Sequence, residues 1–481
     1  MAEKREPTLL QSFIPIIFLI ILLSFNVAIF GDGALDGSNQ IVLILSAAVA
    51  AIVASRVGFK WQELREGVVK SISSAMTSML ILLMIGSLAG TWLISGIVPA
   101  MIYYGLQILS PGIFLFAACI VCSVVSIATG SSWTTSATVG IALIGIGTAL
   151  GIPVGWIAGA ILSGAYFGDK LSPLSDTTNL APAMAGTDLF THIKYMTLTT
   201  VPSISVALVV FLIAGFTMDT SAAAIPTDVI LDAISSKFNV TGLLFIVPVV
   251  VVVLIVRKVA ALPALLAGTL LGGVFAVIFQ PGIVAEVAGE PGSRGLYVGV
   301  MKALYGSISV TTSNDMVNEL LSAGGMAGML KTVWLILSAM IFGGIMEKAG
   351  FLKCIAGAVL TLVQSTGSLV ASTAGTCIFF NVTASDQYLA IVVPGRMYAD
   401  IYKEKGLAPE NLSRSLEDSG TVTSVLVPWN TCGAYHSTVL GVSTLTYLPY
   451  CIFNIVSPLM TILFAYAGIK IRKLTAQKEN A

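Results

Sequence analysis

The chain has 481 residues, is 56% hydrophobic and only 10% charged, and balances 24 Lys and Arg against 24 Asp and Glu. Soluble domains carry about a quarter charged residues, so a soluble fold is excluded, and zero net charge offers nothing to nucleic acid. Apolar segments of about 20 residues, the length that crosses a bilayer, recur from end to end. They are continuous rather than alternating, which predicts membrane-spanning helices and excludes a β-barrel.

In chain order, "FIPIIFLIILLSFNVAIF" (13–30) is long for a signal-peptide core and lacks a small-residue cleavage site behind it. It reads as a retained anchor. Lys4 and Arg5 precede this span, and Arg56, Lys60, Arg65 and Lys70 follow the second, while the loop between holds only Asp32 and Asp36. Positive loops mark the cytoplasmic side, so the N-terminus is expected inside. Residues 71–168 contain no Asp, Glu, Lys or Arg. Cys119 and Cys122 fall within "LFAACIVCSVV" and predict a buried helix face rather than metal or redox chemistry.

Two polar interruptions follow, "TGSSWTTSATVG" (129–140) and "GAYFGDKLSPLSDTTNLAP" (164–182). Further on, "MDTSAAAIPTDVILDAISSKF" (218–238) carries three Asp and one Lys and reads as extracytoplasmic, whereas Arg257 and Lys258 mark a cytoplasmic loop. Two more interruptions come in the second half, "NVTASDQYLAIVVPG" (381–395) and "LEDSGTVTSVLVPWNTCGA" (416–434). Lys470, Arg472, Lys473 and Lys478 place the C-terminal tail inside as well.

The halves are weakly self-similar. "GTWLISGI" (90–97) falls on "GIMEKAGF" (344–351), "GSSWTTSATVG" (130–140) on "NVTASDQYLAI" (381–391), and Asn179 on Asn430. Loops that match in sequence differ in charge: "ALGIPVG" (149–155) is bare where "YKEKGLAPE" (402–410) is charged, and "TDLFTHIKY" (187–195) shows the reverse. Such swaps predict an inverted-topology repeat, as in secondary transporters. The expected fold is therefore an all-α polytopic membrane protein of two inverted repeats whose broken helices or re-entrant hairpins meet at a midplane site. Residues 1–10 form a cytoplasmic N-terminus, 11–217 the first repeat, 218–239 an extracytoplasmic linker, 240–469 the second repeat and 470–481 a cytoplasmic tail.

Hydroxyl, Gly and Pro clusters at membrane depth are tolerated only where the backbone is buried in protein or lines a cavity. Inversion places Asp169, Glu417 and Asp418 within membrane crossings, where an ionisable residue marks a functional site. The ligand chemistry is oxygen throughout, which suits a hard cation such as Na⁺. Candidate ligands are Asp169, Ser172, Ser175, Asp176, Thr177, Thr178 and Asn179, with Ser132, Thr134, Thr383, Asp386, Glu417, Asp418 and Asn430 from the other interruptions. Na⁺ itself is assigned to Asp169, Asp176, Asn179 and Asn430. Pro173 and Pro182 remove amide donors and leave carbonyls free. A carboxylate in low dielectric holds a proton more tightly than in water, so H⁺ and Na⁺ compete for one site.

Plainer roles stand beside these. Asp176 ahead of two Thr fits a helix N-cap. Lys170 is expected to neutralise Asp169, Arg414 to pair with whichever of Glu417 and Asp418 turns from the site, and Asp386 to partner Arg396. Trp133 and Trp429 read as packing residues, and His192 and His436 as interface residues without a catalytic role.

"GSSWTTSATVG", "GDKLSPLSDTTNLAP" and "EDSGTVTSVLVPWNTCGA" resemble the signature segments of the NhaC-type Na⁺/H⁺ antiporters, and the resemblance extends from about residue 10 to 470. It implies a bacterial inner-membrane exchanger of Na⁺ for H⁺, with Li⁺ a further candidate, working by alternating access without a cofactor. It also implies that the segment around Asp169 and that from Glu417 to Asn430 form the ion site. Relatives in that superfamily are often homodimers with elevator-like movement. The family includes exchangers of malate and lactate or of amino acids, so Na⁺-coupled exchange of small carboxylates is the alternative. No HExxH and no Ser/His pairing points to an intramembrane enzyme.

Overall fold

The computed structural model describes residues 5–30, 37–218, 227–312, 317–318, 321–361 and 363–474. Lys4, Asp32, Asp36, Lys478 and residues 219–226 of the expected linker lie outside the described residues. Among the described residues seven helices are long and apolar enough to cross a membrane: Leu9–Phe30, Ser38–Arg56, Trp61–Ile94, Pro111–Thr129, Leu189–Thr217, Ala261–Phe279 and Gly325–Lys348. Two bent pairs, Thr227–Lys237 with Gly242–Val256 and Thr444–Tyr450 with Ile452–Tyr466, bring the number to nine if each is one span. The chain is a multi-pass, all-helical membrane protein. Among the described residues the only ladder is a two-residue antiparallel pairing of Ile308–Ser309 with Ser322–Ala323.

Its surface is apolar at helical spacing. Ile14, Ile17 and Ile21 are exposed along the first helix, Val206, Val209 and Ile213 along Leu189–Thr217, and Leu266, Leu270 and Val274 along Ala261–Phe279. These i, i+3 and i+4, i+7 or i+8 rows form outward stripes, as lipid contact requires. Some hydroxyls inside the spans are satisfied within their own helices: Ser46 donates to the Val42 carbonyl at 2.8 Å and Ser203 to the Thr199 carbonyl at 2.8 Å.

Element order repeats between the halves. In the first, Pro111–Thr129 ends at left-handed Gly130, a helical run from Ser132 to Ala149 follows, then Val154–Leu171, a break, Asp176–Ala185, left-handed Gly186 and Leu189–Thr217. In the second, Thr366–Thr383 ends at left-handed Ser385, then come Leu389–Glu404, Pro409–Leu416 continuing through a π-turn to Thr421, a break, Thr431–Leu440, left-handed Gly441 and the bent pair from Thr444. Register differs from the sequence match. Asn430 caps Thr431–Leu440, but the helix in its place in the first half is capped by Ser175, whose hydroxyl accepts from the Thr178 amide. The pairing of Asn179 with Asn430 is thus corrected to Ser175 with Asn430, because the cap and not the amide side chain recurs.

Helix Val154–Leu171 lies directly on Pro111–Thr129. A Cβ at Gly164 or Gly168 would collide with the backbone carbonyls of Cys119 and Ser123, so the glycines permit backbone contact. Cys119 and Cys122 are free, fully buried in this seam. The described part of the C-terminal tail docks on the loop after Glu404: Ala408 donates to the Arg472 carbonyl at 3.0 Å and Leu474 to Gly406 at 2.8 Å.

A candidate ion site at the helix breaks

The breaks are in contact within each half. A Cβ on Gly130 would lie 2.6 Å from the Leu174 Cβ, so the first unwound turn rests on the second. In the second half the Thr431 amide donates to the Ser385 carbonyl at 3.0 Å, and the Asn430 amide nitrogen donates to the Asn381 carbonyl at 3.0 Å. Asn381 in turn donates to the freed carbonyl of Gly420 at 2.7 Å, and Gln387 to that of Thr421 at 3.1 Å. Side-chain amides therefore take the carbonyls that the π-turn and the break leave without helical partners.

Between the two pairs of breaks lies a cavity of about 710 Å³. The first half contributes Thr129 to Ser131, Trp133, Thr134, Asp169 and Pro173 to Thr177, and the second contributes Gln387, Tyr388 and Thr431. Ser74, Thr77 and Ser78 of helix Trp61–Ile94 and the Lys258–Leu262 loop complete the wall. Those three hydroxyls were missed by sequence reading; their i, i+3, i+4 spacing within the charge-free run was the signal available. Trp133 stacks on Tyr435 with ring centroids 3.8 Å apart, and the Tyr435 hydroxyl donates to the Trp133 carbonyl at 2.9 Å. This contact ties the halves together beside the cavity. The packing expectation for Trp429 agrees with its indole N–H, which donates to the Val382 carbonyl at 2.8 Å.

Asp169 sits in the last turn of Val154–Leu171, 7% exposed at the cavity wall. Its Oδ2 accepts from the Ser132 amide at 3.0 Å and the Ser132 hydroxyl at 2.7 Å. Ser132 opens a helical run, so the carboxylate faces the amide end of that helix. Among the described residues no Lys or Arg forms an ion pair with Asp169. The expected Lys170–Asp169 pair is corrected: Lys170 and Asp169 are consecutive on a helix and diverge by about 100°. Lys170 instead crosses to the other half, where its ammonium pairs with Asp418 and donates to the Ser457 hydroxyl at 3.1 Å. Asp418 also accepts from Thr199 at 2.7 Å and Ser457 at 3.2 Å, so the buried pair is hydrogen-bonded on both sides.

Glu417 turns the other way. Its Oε1 accepts from the Thr177 hydroxyl at 3.1 Å, and Thr177 lies 3.2 Å from the Ser175 hydroxyl. Two hydroxyls on the cavity wall thus connect the cavity to a fully buried second-half carboxyl.

Other expected residues stand in different places. Thr134 lines the cavity, and its amide donates to Ser131. Asp176 also lines it but is exposed, with the Tyr388 hydroxyl 3.5 Å away. Ser172 ties the breaks together by donating to the Ile127 carbonyl at 2.8 Å, and Thr178 donates to the carbonyls of Asp169 and Lys170. Asn179 is exposed and donates to the carbonyls of Pro173 and Ser175, Thr383 bonds back to Phe379, and Asn430 caps its helix. None of these last three lines the cavity. Asp386 is buried and caps Leu389–Glu404 through the Leu389 amide at 2.9 Å; the expected partner Arg396 is exposed and makes no ion pair with it. Arg414 is also corrected: it pairs with neither Glu417 nor Asp418, and its guanidinium lies 4.6 Å from the Tyr195 ring centroid. His192 and His436 are fully buried in the core.

The model of the Na⁺/H⁺ antiporter family matches residues 164–469, which include both second-half breaks and the Asp169 segment. The chain is 36% identical to the Na⁺/H⁺ antiporter NhaC of Alkalihalophilus pseudofirmus, over 95% of this chain and 96% of that protein. It is equally 36% identical to the malate-2H⁺/Na⁺-lactate antiporter of Bacillus subtilis, over 97% of this chain and 96% of the relative. Neisseria gonorrhoeae MtrF superposes over 97% of this chain and 96% of its own, at 13% identity and a TM-score of 0.37. With a family match that covers most of the chain and near-full-length relatives, the chain belongs to the Na⁺/H⁺ antiporter family.

Proposed function

We propose that this protein is a secondary active transporter that exchanges Na⁺ for H⁺ by alternating access, with Asp169 as the carboxylate that the two ions share. One observation carries the reading: Asp169 is buried, reaches a hydroxyl-bearing cavity between the halves, and forms no ion pair with a Lys or Arg among the described residues. The neighbouring buried carboxylate Asp418 is already neutralised by Lys170. An uncompensated carboxylate at membrane depth needs a mobile cation. The hydroxyls of Ser132, Thr134, Ser175 and Thr177 supply the hard oxygen ligands that Na⁺ prefers, and Asp176 stands at the wall as a second, solvated carboxylate. Two ions that cannot occupy Asp169 together, combined with alternating access, produce antiport.

In this reading the halves are inverted repeats that rock or slide about the cavity, in the bacterial inner membrane. The cytoplasmic placement of both termini is supported by the contacts between positive segments. The Arg5 amide donates to Val57 beside the Arg56–Lys60 loop, and the Arg472 tail pairs with Glu410. Lys258 lies on the cavity wall, so the cavity opens to the cytoplasm.

Exchange of small carboxylates coupled to Na⁺ is the second reading, because Lys258 places one ammonium on the wall and a relative of equal identity is named for malate and lactate. Purified protein in liposomes with a preset pH gradient separates the two. Na⁺ alone is expected to move protons, and Asp169→Asn to abolish that movement while the protein still elutes as a folded species. If protons move only when malate or lactate accompanies Na⁺, the second reading replaces the first. Wild-type rates in Asp169→Asn remove that residue from the site.

A further inference from the structure

Arg414 is fully buried, and none of its three guanidinium nitrogens has a hydrogen-bond partner. A guanidinium does not lose its charge in a protein, so this is a permanent buried cation without an acceptor. The Tyr195 ring, 4.6 Å away, offsets only part of that burial. One helical turn on, Glu417 is fully buried as well, and its Oε2 has no hydrogen-bond partner. Residues three apart on a helix are surface neighbours, so the two bare groups occupy neighbouring positions on one helix.

The charged groups around them are engaged elsewhere, except that the second oxygen of Glu410, Oε2, is also without a hydrogen-bond partner among the described residues. Lys170 is held by Asp418 and Ser457, and Glu410, one turn before Arg414, is already paired with Arg472. His192 shares a hydrogen bond with Ser413. Glu417 is therefore a buried carboxyl near Arg414 without a bound cation. Its other oxygen is held by Thr177, a cavity residue, so a cation that enters past Asp169 and Ser175 meets Glu417 next.

We propose that Arg414 is a built-in competitor of the transported cation. In the empty carrier its guanidinium leaves the Tyr195 ring and pairs with Glu417; an arriving Na⁺ displaces it back to the ring. In the structure the guanidinium lies over the ring, with Glu417 Oε2 free to face an ion. Arg414 then acts as a positioning residue that neutralises Glu417 in the empty carrier and sets how strongly Na⁺ must bind to enter. This inference rests on the exchange reading above.

The test is the Na⁺ concentration dependence of proton movement in proteoliposomes of the full-length protein. Arg414→Gln removes the competitor and is expected to lower the KM for Na⁺ by about tenfold, the effect of one charge-assisted hydrogen bond. A residue that only supports the fold would raise KM or leave it unchanged, and either result overturns the proposal. Should Arg414→Gln fail to fold, Tyr195 gives a second arm of opposite sign. Tyr195→Leu removes the ring that receives the guanidinium and should raise KM above that of Tyr195→Phe, which keeps the ring; equal values overturn the proposal. Wild-type protein that moves no protons on Na⁺ addition sinks the exchange reading and this inference together. Wild-type exchange with unmoved KM in the variants sinks this inference alone.

Discussion

Asp169 and Asp418 are both buried carboxylates, yet their neighbours give them opposite roles. Asp418 accepts from an ammonium and two hydroxyls and is neutral as a pair. Asp169 accepts from one serine and faces the cavity. Breaking a buried pair by removing one partner leaves a bare charge, whereas replacing both with neutral groups removes the charge altogether. Lys170→Met is accordingly expected to destabilise the protein by about 3–5 kcal/mol, and Lys170→Met with Asp418→Asn to recover most of that loss. Thermal unfolding in detergent reads both; equal losses in the single and double variants would mean that the pair is not the source. The sequence was sufficient to pick out Asp169, Lys170, Glu417 and Asp418 as intramembrane charges. It could not pair them, because Lys170 and Asp418 come from opposite halves and meet only when the breaks pack.

At the scale of elements, the site exists because helices stop early. Gly130 and Ser385 turn left-handed at matching places, and in each half the next break rests against that turn. The hydroxyl- and proline-rich composition of these segments was legible as interruption, since such clusters need a cavity or protein cover at membrane depth. Register was not legible. Asn179 and Asn430 share a residue type, but caps are defined by backbone geometry, and Ser175 serves in the first half as Asn430 does in the second. The seam beneath the site is held by Gly164 and Gly168, where backbone carbonyls occupy the space of a side chain. Gly168→Leu must push apart Pro111–Thr129 and Val154–Leu171 directly beside Asp169. Overpacking of this kind costs about 1–3 kcal/mol, and Na⁺-driven exchange is expected to be lost before the protein unfolds. Full exchange with normal thermal stability would show that the seam yields without moving the site.

For the whole molecule, the cytoplasmic opening proposed for the cavity has a direct test. Lys258 and Thr77 share its wall, so a cysteine at either position should be labelled by a membrane-impermeant maleimide from one and the same side. Five of the six native cysteines are buried and Cys354 is only partly so, which keeps the background low. Labelling in inverted vesicles and not in intact cells is the expected outcome; labelling only in intact cells would reverse the orientation inferred from the loop charges.

By itself the sequence determined that the chain is a multi-pass helical membrane protein, which segments interrupt its spans, and which few residues bring charge to membrane depth. These follow from local quantities: hydropathy over the length of one span, positive charge in loops, and the scarcity of ionisable groups in lipid. Tertiary structure decided that Asp169 and not Lys170 faces the cavity, that Lys170 serves Asp418, that helix Trp61–Ile94 lends the cavity wall three hydroxyls, and that Arg414 rests on Tyr195. Those outcomes depend on which helix faces meet across the two halves, and no local pattern carries that information.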